Sequence, residues 1–253
     1  MGPSSASLIR ASFRGSAGFE LSARLDLPQG AARAFALFAH CFTCSKDVLA
    51  ARRIASVLSG AGVGVLRFDF TGLGSSEGEF ANTNFSSNIE DLISAAGYLR
   101  DHYAAPALLI GHSLGGAAVL AAAHAVPEAR AVVTIGAPAD AGHVLKQLGT
   151  SLEEIRDKGE AMVTLAGRQF QIRRSFVQDA EEHRLADRIG SLGKALLVMH
   201  APRDTVVGID NASRIFLAAK HPKSFISLDD ADHLLSEAGA AAYAARVIDA
   251  WAS

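Results

Sequence analysis

The sequence predicts an α/β fold: a mostly parallel sheet with helices on both faces and an antiparallel hairpin at its N-terminal edge. Three observations carry this. Short, continuously apolar runs alternate with segments of helical period, as in strands buried on both faces and joined by crossover helices. The first two strand-like segments instead alternate apolar and polar residues, as in a sheet with one wet face. Midway, an apolar run meets Gly111-His-Ser-Leu-Gly115 and passes directly into an alanine-rich helix.

The elements follow in order. Residues 7–13 and 19–26 form the hairpin around Gly15-Ser-Ala-Gly18, ended by Pro28-Gln-Gly30. Ala34 to Ala39 is a buried strand, and His40 to Ser45 a loop. Ser45 is placed to cap a helix through about Ser59 that buries Ile54, Val57, Leu58 and Ala61. Gly60-Ala-Gly62 stops it, and Val63 to Phe68 is the next strand. Asp69 to Gly78 is glycine-rich but lacks the lysine of a phosphate-binding loop, and no helix starts directly after it, so it is expected to be structural. Ser87-Asn-Ile-Glu90 fits a capping box for a helix to about His102. After the central strand and its helix come strands at Ala131–Ile135, Ala195–His200 and Ser224–Leu228. Helices are expected over about 208–219 and 238–251.

Residues 142–193 break this alternation. Ala161 to Leu165 and Gln169 to Phe176 alternate around Ala166-Gly-Arg168, which predicts a hairpin. A lone hairpin is marginal, so it must lie on something. Its ends emerge near the strand tips, and a small cap over the site is expected, with Met162, Phe170 or Phe176 reaching the cleft. The chain is expected to be one domain, 1–253, carrying this insertion.

Bulk composition limits the partners. The 253 residues are 49% hydrophobic, enough for one large core, and the formal charge of −2 gives no basic face for nucleic acid. No polybasic run or cationic amphipathic helix suggests a membrane surface. Pro106 to Val126 is apolar on average, but with His112, Ser113 and glycines inside it reads as strand, turn and helix rather than a membrane span. Met1 to Ala6 lacks the charged and apolar regions of a signal peptide and misses the myristoylation pattern. Two cysteines, Cys41 and Cys44, make no disulfide framework. A cytoplasmic, reduced protein is expected.

In an open parallel sheet, chemistry gathers beyond the C-terminal strand ends. The G-x-S-x-G turn there is tight, and a side chain at Gly111 or Gly115 would collide across it, so Ser113 is expected in strained geometry with its hydroxyl clear of the sheet. The pentapeptide alone is weak, arising by chance in roughly one such glycine-rich chain in five. Its strength comes from later strand ends. A serine needs a base, and the base needs a partner to orient it. Asp204 follows the strand ending at His200, and His233 follows the strand ending at Leu228. Asp140 is the rival acid. A second amide for a developing oxyanion is expected from the His40–Thr43 loop, at Phe42, beside that of Leu114. His40 is expected to pack that loop, and His112 to fill the turn or line the substrate space. Cys41-Phe-Thr-Cys44 also matches the redox pattern C-x-x-C.

With Gly111-His-Ser-Leu-Gly115, then Asp204 with Val207, then His233, and the Asp69–Ser76 loop, the chain resembles the α/β-hydrolase superfamily over nearly its whole length. His40 to Asp47 and Phe85-Ser-Ser-Asn88 carry a narrower likeness to the hydrolase half of bacterial proteins fused to an OsmC-like domain, although here no second domain is expected after Trp251. The resemblance implies an α/β-hydrolase fold and a serine hydrolase acting on small- to medium-acyl carboxylic esters through an acyl-enzyme. Ser113, His233 and Asp204 would form its triad, with no metal or cofactor required. The superfamily usually has glycine where this chain has Cys41, and a side chain there narrows the space beside the oxyanion and bears on acyl preference. Two alternatives stand beside this reading: acyl transfer or perhydrolysis on the same triad, and a thiol-redox or peroxide-response protein using Cys41 and Cys44.

Overall fold

The computed structural model describes residues 7–253, so the reading of Met1 to Ala6 lies outside the described residues. Its main sheet has eight strands: β1 (Ser7–Arg14), β2 (Glu20–Leu27), β3 (Ala34–Ala39), β4 (Val63–Phe68), β5 (Leu108–His112), β6 (Ala131–Ile135), then the last two, Ala195–His200 and Lys223–Ser227. Between β6 and these last two lies a separate hairpin, β7 (Glu160–Leu165) and β8 (Arg168–Arg173), so the closing strands are β9 and β10. The spatial order is β1-β2-β4-β3-β5-β6-β9-β10. β1 and β2 are antiparallel to their neighbours, and the rest run parallel.

The apolar runs owe their continuity to burial on two faces. In β3, Ala36 and Phe38 join the core beneath α1 (Leu49–Gly60), while Phe35, Leu37 and Ala39 join the core on the opposite face. That second core is closed by α2 (Phe85–His102) and α3 (Leu114–Ala122). In the insertion stand α4 (Ser151–Lys158), α5 (Arg174–Glu182) and α6 (Ala186–Gly190); α7 (Asp210–Ala218) then adds Ala212 and Ile215 to the second core. The last helix, α8 (Ala238–Trp251), packs beside α1 on the first face. Parallel register puts Ala39 beside Gly111, His112 beside Ile135, and His200 beside Ser227. The loops after β3, β5, β6, β9 and β10 therefore leave one edge of the sheet together. No described helix is long and apolar enough to cross a membrane.

Local chemistry differs from the sequence expectation at three places. Ser45 heads a turn, accepting from Val48 N–H at 3.2 Å through its carbonyl, and α1 starts only at Leu49. The capping box of α2 is one turn earlier than expected: the Asn84 side chain accepts from Ser87 N–H, and the Ser87 hydroxyl accepts from Asn84 N–H at 3.0 Å. Asn84 is as good an N-cap as serine, and it lets Phe85 enter the core. The insertion's second strand stops at Arg173, so Phe176 belongs to α5 rather than to a strand.

Candidate active site

The β5–α3 turn places Ser113 at φ 54° and ψ −126°, a strained conformation for a residue with a side chain. Two contacts enforce it. A Cβ on Gly111 would lie 2.2 Å from the Gly115 carbonyl oxygen. A Cβ on Gly115 would lie 2.4 Å from the carbonyl oxygens of Ala39 and His40. Gly111 thus matches the expected collision across the turn, whereas Gly115 is held small by the loop after β3. That close approach brings residues 40–44 against the first turn of α3.

His233 Nε2 accepts from Ser113 Oγ at 3.0 Å, and His233 Nδ1 donates to Asp204 Oδ2 at 2.7 Å. The other carboxylate oxygen of Asp204 accepts from Val206 N–H at 2.8 Å and Val207 N–H at 2.9 Å. Burial pushes the Asp204 carboxyl up, but the His233 bond and the two amides outweigh it and hold it below the usual aspartate range. An ionised Asp204 keeps the proton of His233 on Nδ1, which leaves Nε2 free to accept from the serine. Asp140 is turned elsewhere, paired with Arg214 on α7.

Two further histidines brace this arrangement. His112 Nε2 donates to the His233 carbonyl at 2.7 Å, and His200 Nε2 donates to the Val207 carbonyl at 2.7 Å. Burial first, and then the neighbouring His233, push His112 down to about 4, so it is neutral at pH 7. His112 is 1% exposed and its ring is held against the His233 loop by that bond. The role of His200 had only a faint sequence signal, a histidine ending an otherwise apolar strand.

The loop after β3 contributes a candidate oxyanion hole. Leu114 opens α3, so its N–H has no carbonyl partner within the helix. Among the described residues, Phe42 N–H is not engaged by any other group. His40 Nδ1 donates to the Cys41 carbonyl at 2.8 Å, its ring packs edge-on to Phe70, and burial lowers its pKa. Lys46 anchors the loop from below: its ammonium and its N–H each lie 2.6 Å from the buried Asp69 carboxylate. The Asp69–Gly78 loop curls round that same carboxylate, with Ser75 N–H donating to it at 2.9 Å. Cys41 and Cys44 are joined by a disulfide, which corrects the reading of two reduced thiols. Two intervening residues in a turn bring their Cα atoms to 5.3 Å, within bridging range.

The insertion reaches this loop from above. Phe176 stacks on Phe42 at 5.4 Å between ring centroids, and Phe170 packs edge-on to Phe80 at 4.9 Å, which in turn lies 5.9 Å from Phe42. Arg168, at the hairpin turn, donates to the Thr43 carbonyl. Met162 does not reach the cleft. It is 57% exposed on the outer face of β7, because Ala161, Val163 and Leu165 occupy the alternate, inward positions. Ser113 itself is only 4% exposed. A wider cleft, of about 720 Å³, lies against the insertion among Lys146, Arg156, Arg184 and Arg214, and Ser113 does not line it. Among the described residues no group of three or more His, Cys, Asp or Glu side chains could hold a metal ion.

Comparison with known proteins agrees with this architecture. The model of the alpha/beta hydrolase family matches residues 36–246. The crystal structure of the esterase domain of a Rhodothermus marinus protein is 48% identical, with a TM-score of 0.80 over 97% of this chain and 98% of that one. Est1E from Butyrivibrio proteoclasticus, solved with bound ferulic acid, shares the fold at 20% identity, with a TM-score of 0.84 over 96% and 98% of the two chains. The mouse mitochondrial palmitoyl-protein thioesterase ABHD10 is 32% identical over 151 residues, 56% of this chain and 49% of that protein. The chain thus aligns with about half the length of the curated relatives it matches.

Proposed function

The chain belongs to the alpha/beta hydrolase family, and from that premise we propose that it is a carboxylesterase-type serine hydrolase working through an acyl-enzyme. The single observation that carries the reading is the hydrogen-bonded line from Ser113 through His233 to Asp204. Ser113 Oγ attacks the ester carbonyl carbon while His233 Nε2 takes its proton, and Asp204 stabilises the imidazolium that forms. The amides of Phe42 and Leu114 hold the oxyanion. Collapse expels the alcohol, which leaves with the proton from His233. Water then enters, gives a proton to His233 and attacks the acyl carbon, and the acid departs as Ser113 recovers its proton.

Phe42, Phe80, Phe170 and Phe176 form an aromatic wall over the loop, which favours a small to medium acyl group. The proposal treats residues 1–253 as one domain with the insertion as its cap, a small-molecule ester as the partner, and the cytoplasm as the setting. A thioester is the second reading, favoured by the thioesterase relatives, because the same attack expels a thiolate more readily than an alkoxide.

The test is covalent labelling of the intact protein with a fluorophosphonate and mapping of the adduct by mass spectrometry. The adduct is expected on Ser113. A protein that resists labelling, or carries the label on another residue, is not the hydrolase described. A panel of ester and thioester substrates of rising acyl length would then rank the two readings.

A further inference from the structure

Cys41, Phe42, Thr43 and Cys44 form a turn that is closed twice, by the disulfide and by Cys44 N–H donating to the Cys41 carbonyl at 3.1 Å. Inside it, Thr43 has φ 59°. Positive φ at the third position of such a turn suits glycine, and for a β-branched residue it is an outlier. Strain of this kind persists only where the surroundings over-determine it. Here four things do so: the disulfide, the His40 bond to the Cys41 carbonyl, Arg168 on the Thr43 carbonyl, and Phe176 stacked on Phe42. The disulfide is the one member of this set that ordinary solution chemistry can remove and restore. Cys41 is buried and Cys44 only partly so, which makes Cys44 the more approachable half of the pair. In reducing compartments such pairs are transient rather than structural.

We infer that Cys41 and Cys44 are a reversible dithiol–disulfide site that sets the oxyanion loop: the closed pair holds Phe42 N–H in its donating position, and reduction by a dithiol slows catalysis without unfolding the chain. The inference rests on the hydrolase reading above. The chemistry is ordinary exchange. A thiolate of the dithiol attacks Cys44 Sγ, the S–S bond breaks, and Cys41 leaves as a thiolate that takes up a proton. The second thiolate of the dithiol then attacks its own sulfur in the mixed disulfide and releases Cys44, so two electrons pass from dithiol to protein and the reagent leaves as a disulfide. With the clip open, Thr43 relaxes towards negative φ and carries the Phe42 amide with it. Lys46 on Asp69 limits the movement to residues 41–44.

Losing an oxyanion donor outright costs about 10²- to 10³-fold in kcat. The three remaining contacts keep the loop productive part of the time, so opening the clip lowers kcat by about three- to tenfold, in proportion to the population of the donating state.

The experiment uses the full chain in its bonded form, before and after dithiothreitol. Free thiols are counted by iodoacetamide mass shift, the fold is followed by circular dichroism, and kcat, KM and the rate of fluorophosphonate labelling are measured on a short-chain ester. The expected result is two new thiols per chain, an unchanged dichroism spectrum, a three- to tenfold fall in kcat with little change in KM, and recovery on reoxidation. A Cys41→Ser, Cys44→Ser double variant is expected to run at the reduced rate and to ignore dithiothreitol. Equal kcat in the bonded and opened protein overturns the inference. So does a pair that dithiothreitol cannot open, a chain that unfolds on reduction, or a double variant that still responds. If neither form labels at Ser113, the hydrolase reading itself has failed and the clip falls with it.

Discussion

His112 holds His233 by its main chain: the Nε2–H of one meets the carbonyl oxygen of the other at 2.7 Å, and the two rings lie 5.2 Å apart. The residue before Ser113 thus sets the height of the loop whose ring Ser113 faces. The other nitrogen of His112 is buried with no partner among the described residues, so a second proton there is costly.

That cost makes a prediction about acid stability. His112 is pushed down to about 4 in the fold, whereas an unfolded histidine titrates near its ordinary value. Between about pH 6.5 and pH 4 the unfolded chain binds more protons, so stability falls as the pH drops through that window, by on the order of 3 kcal/mol. His40 is lowered too and acts in the same direction. Asp204 is lowered as well, but the stability it adds is lost only below its unfolded value near pH 3.9, a separate and more acid window. Urea unfolding midpoints measured against pH should therefore flatten between pH 6.5 and 4 in His112→Gln, whose amide can still donate to the His233 carbonyl. A slope identical to the parent's would remove His112 from the account.

Ser113→Ala should melt like the parent and lose about four to six orders of magnitude in kcat on a simple ester. Steady-state kinetics on a chromogenic ester, with careful exclusion of parent enzyme, measures this. Activity above a few per cent would end the nucleophile assignment.

Asp204→Asn should cost up to about 10⁴-fold in kcat by leaving His233 in the wrong tautomer. Asp140→Asn should leave kcat within about threefold, because its exposed pair with Arg214 contributes little and does not touch His233. Reversed results would transfer the acid role to Asp140 while leaving the fold untouched.

The aromatic wall should set acyl length. Phe176→Leu combined with Phe170→Ala is expected to raise the longest ester accepted while acetate is still cleaved, whereas Met162→Ala should change nothing, since Met162 stands on the outer face of the hairpin. Relative kcat/KM across a series of p-nitrophenyl esters is the readout. An unchanged profile in the double variant would leave the insertion without a part in selection.

Lys46→Met should destabilise the chain by about 3 kcal/mol in denaturant unfolding, because it strands the Asp69 carboxylate in the core with only amide donors left. A loss below 1 kcal/mol would mean that the amides alone satisfy it.

What the sequence by itself determined follows from local periodicity and chain order. Strands buried on both faces are largely apolar, so β3, β4, β5, β6 and β9 are legible as runs, Arg67 in β4 notwithstanding, and β3, β4, β6 and β9 are found at the residues expected. The Gly-x-Ser-x-Gly turn is legible because its constraint is local and steric. The meeting of Asp204 and His233 beside Ser113 is legible because a parallel sheet delivers every strand end to one edge, whatever its distance along the chain. The hairpin of the insertion is legible from its period of two.

What only the tertiary structure decided depends on which of several equally good local options packing selects. Ser87 and Asn84 can both open α2, and the burial of Phe85 selects Asn84. Phe176 suits a strand or a helix, and it becomes helical where α5 sets its ring on Phe42. Gly115 is small because the loop after β3 leans on it, a contact between segments some 75 residues apart. The Arg168 grip on Thr43, the Lys46–Asp69 anchor and the closure of Cys41 on Cys44 around a strained threonine leave no periodic signature. They arise where separately encoded segments meet, and their energies exist only once the sheet has brought those segments together.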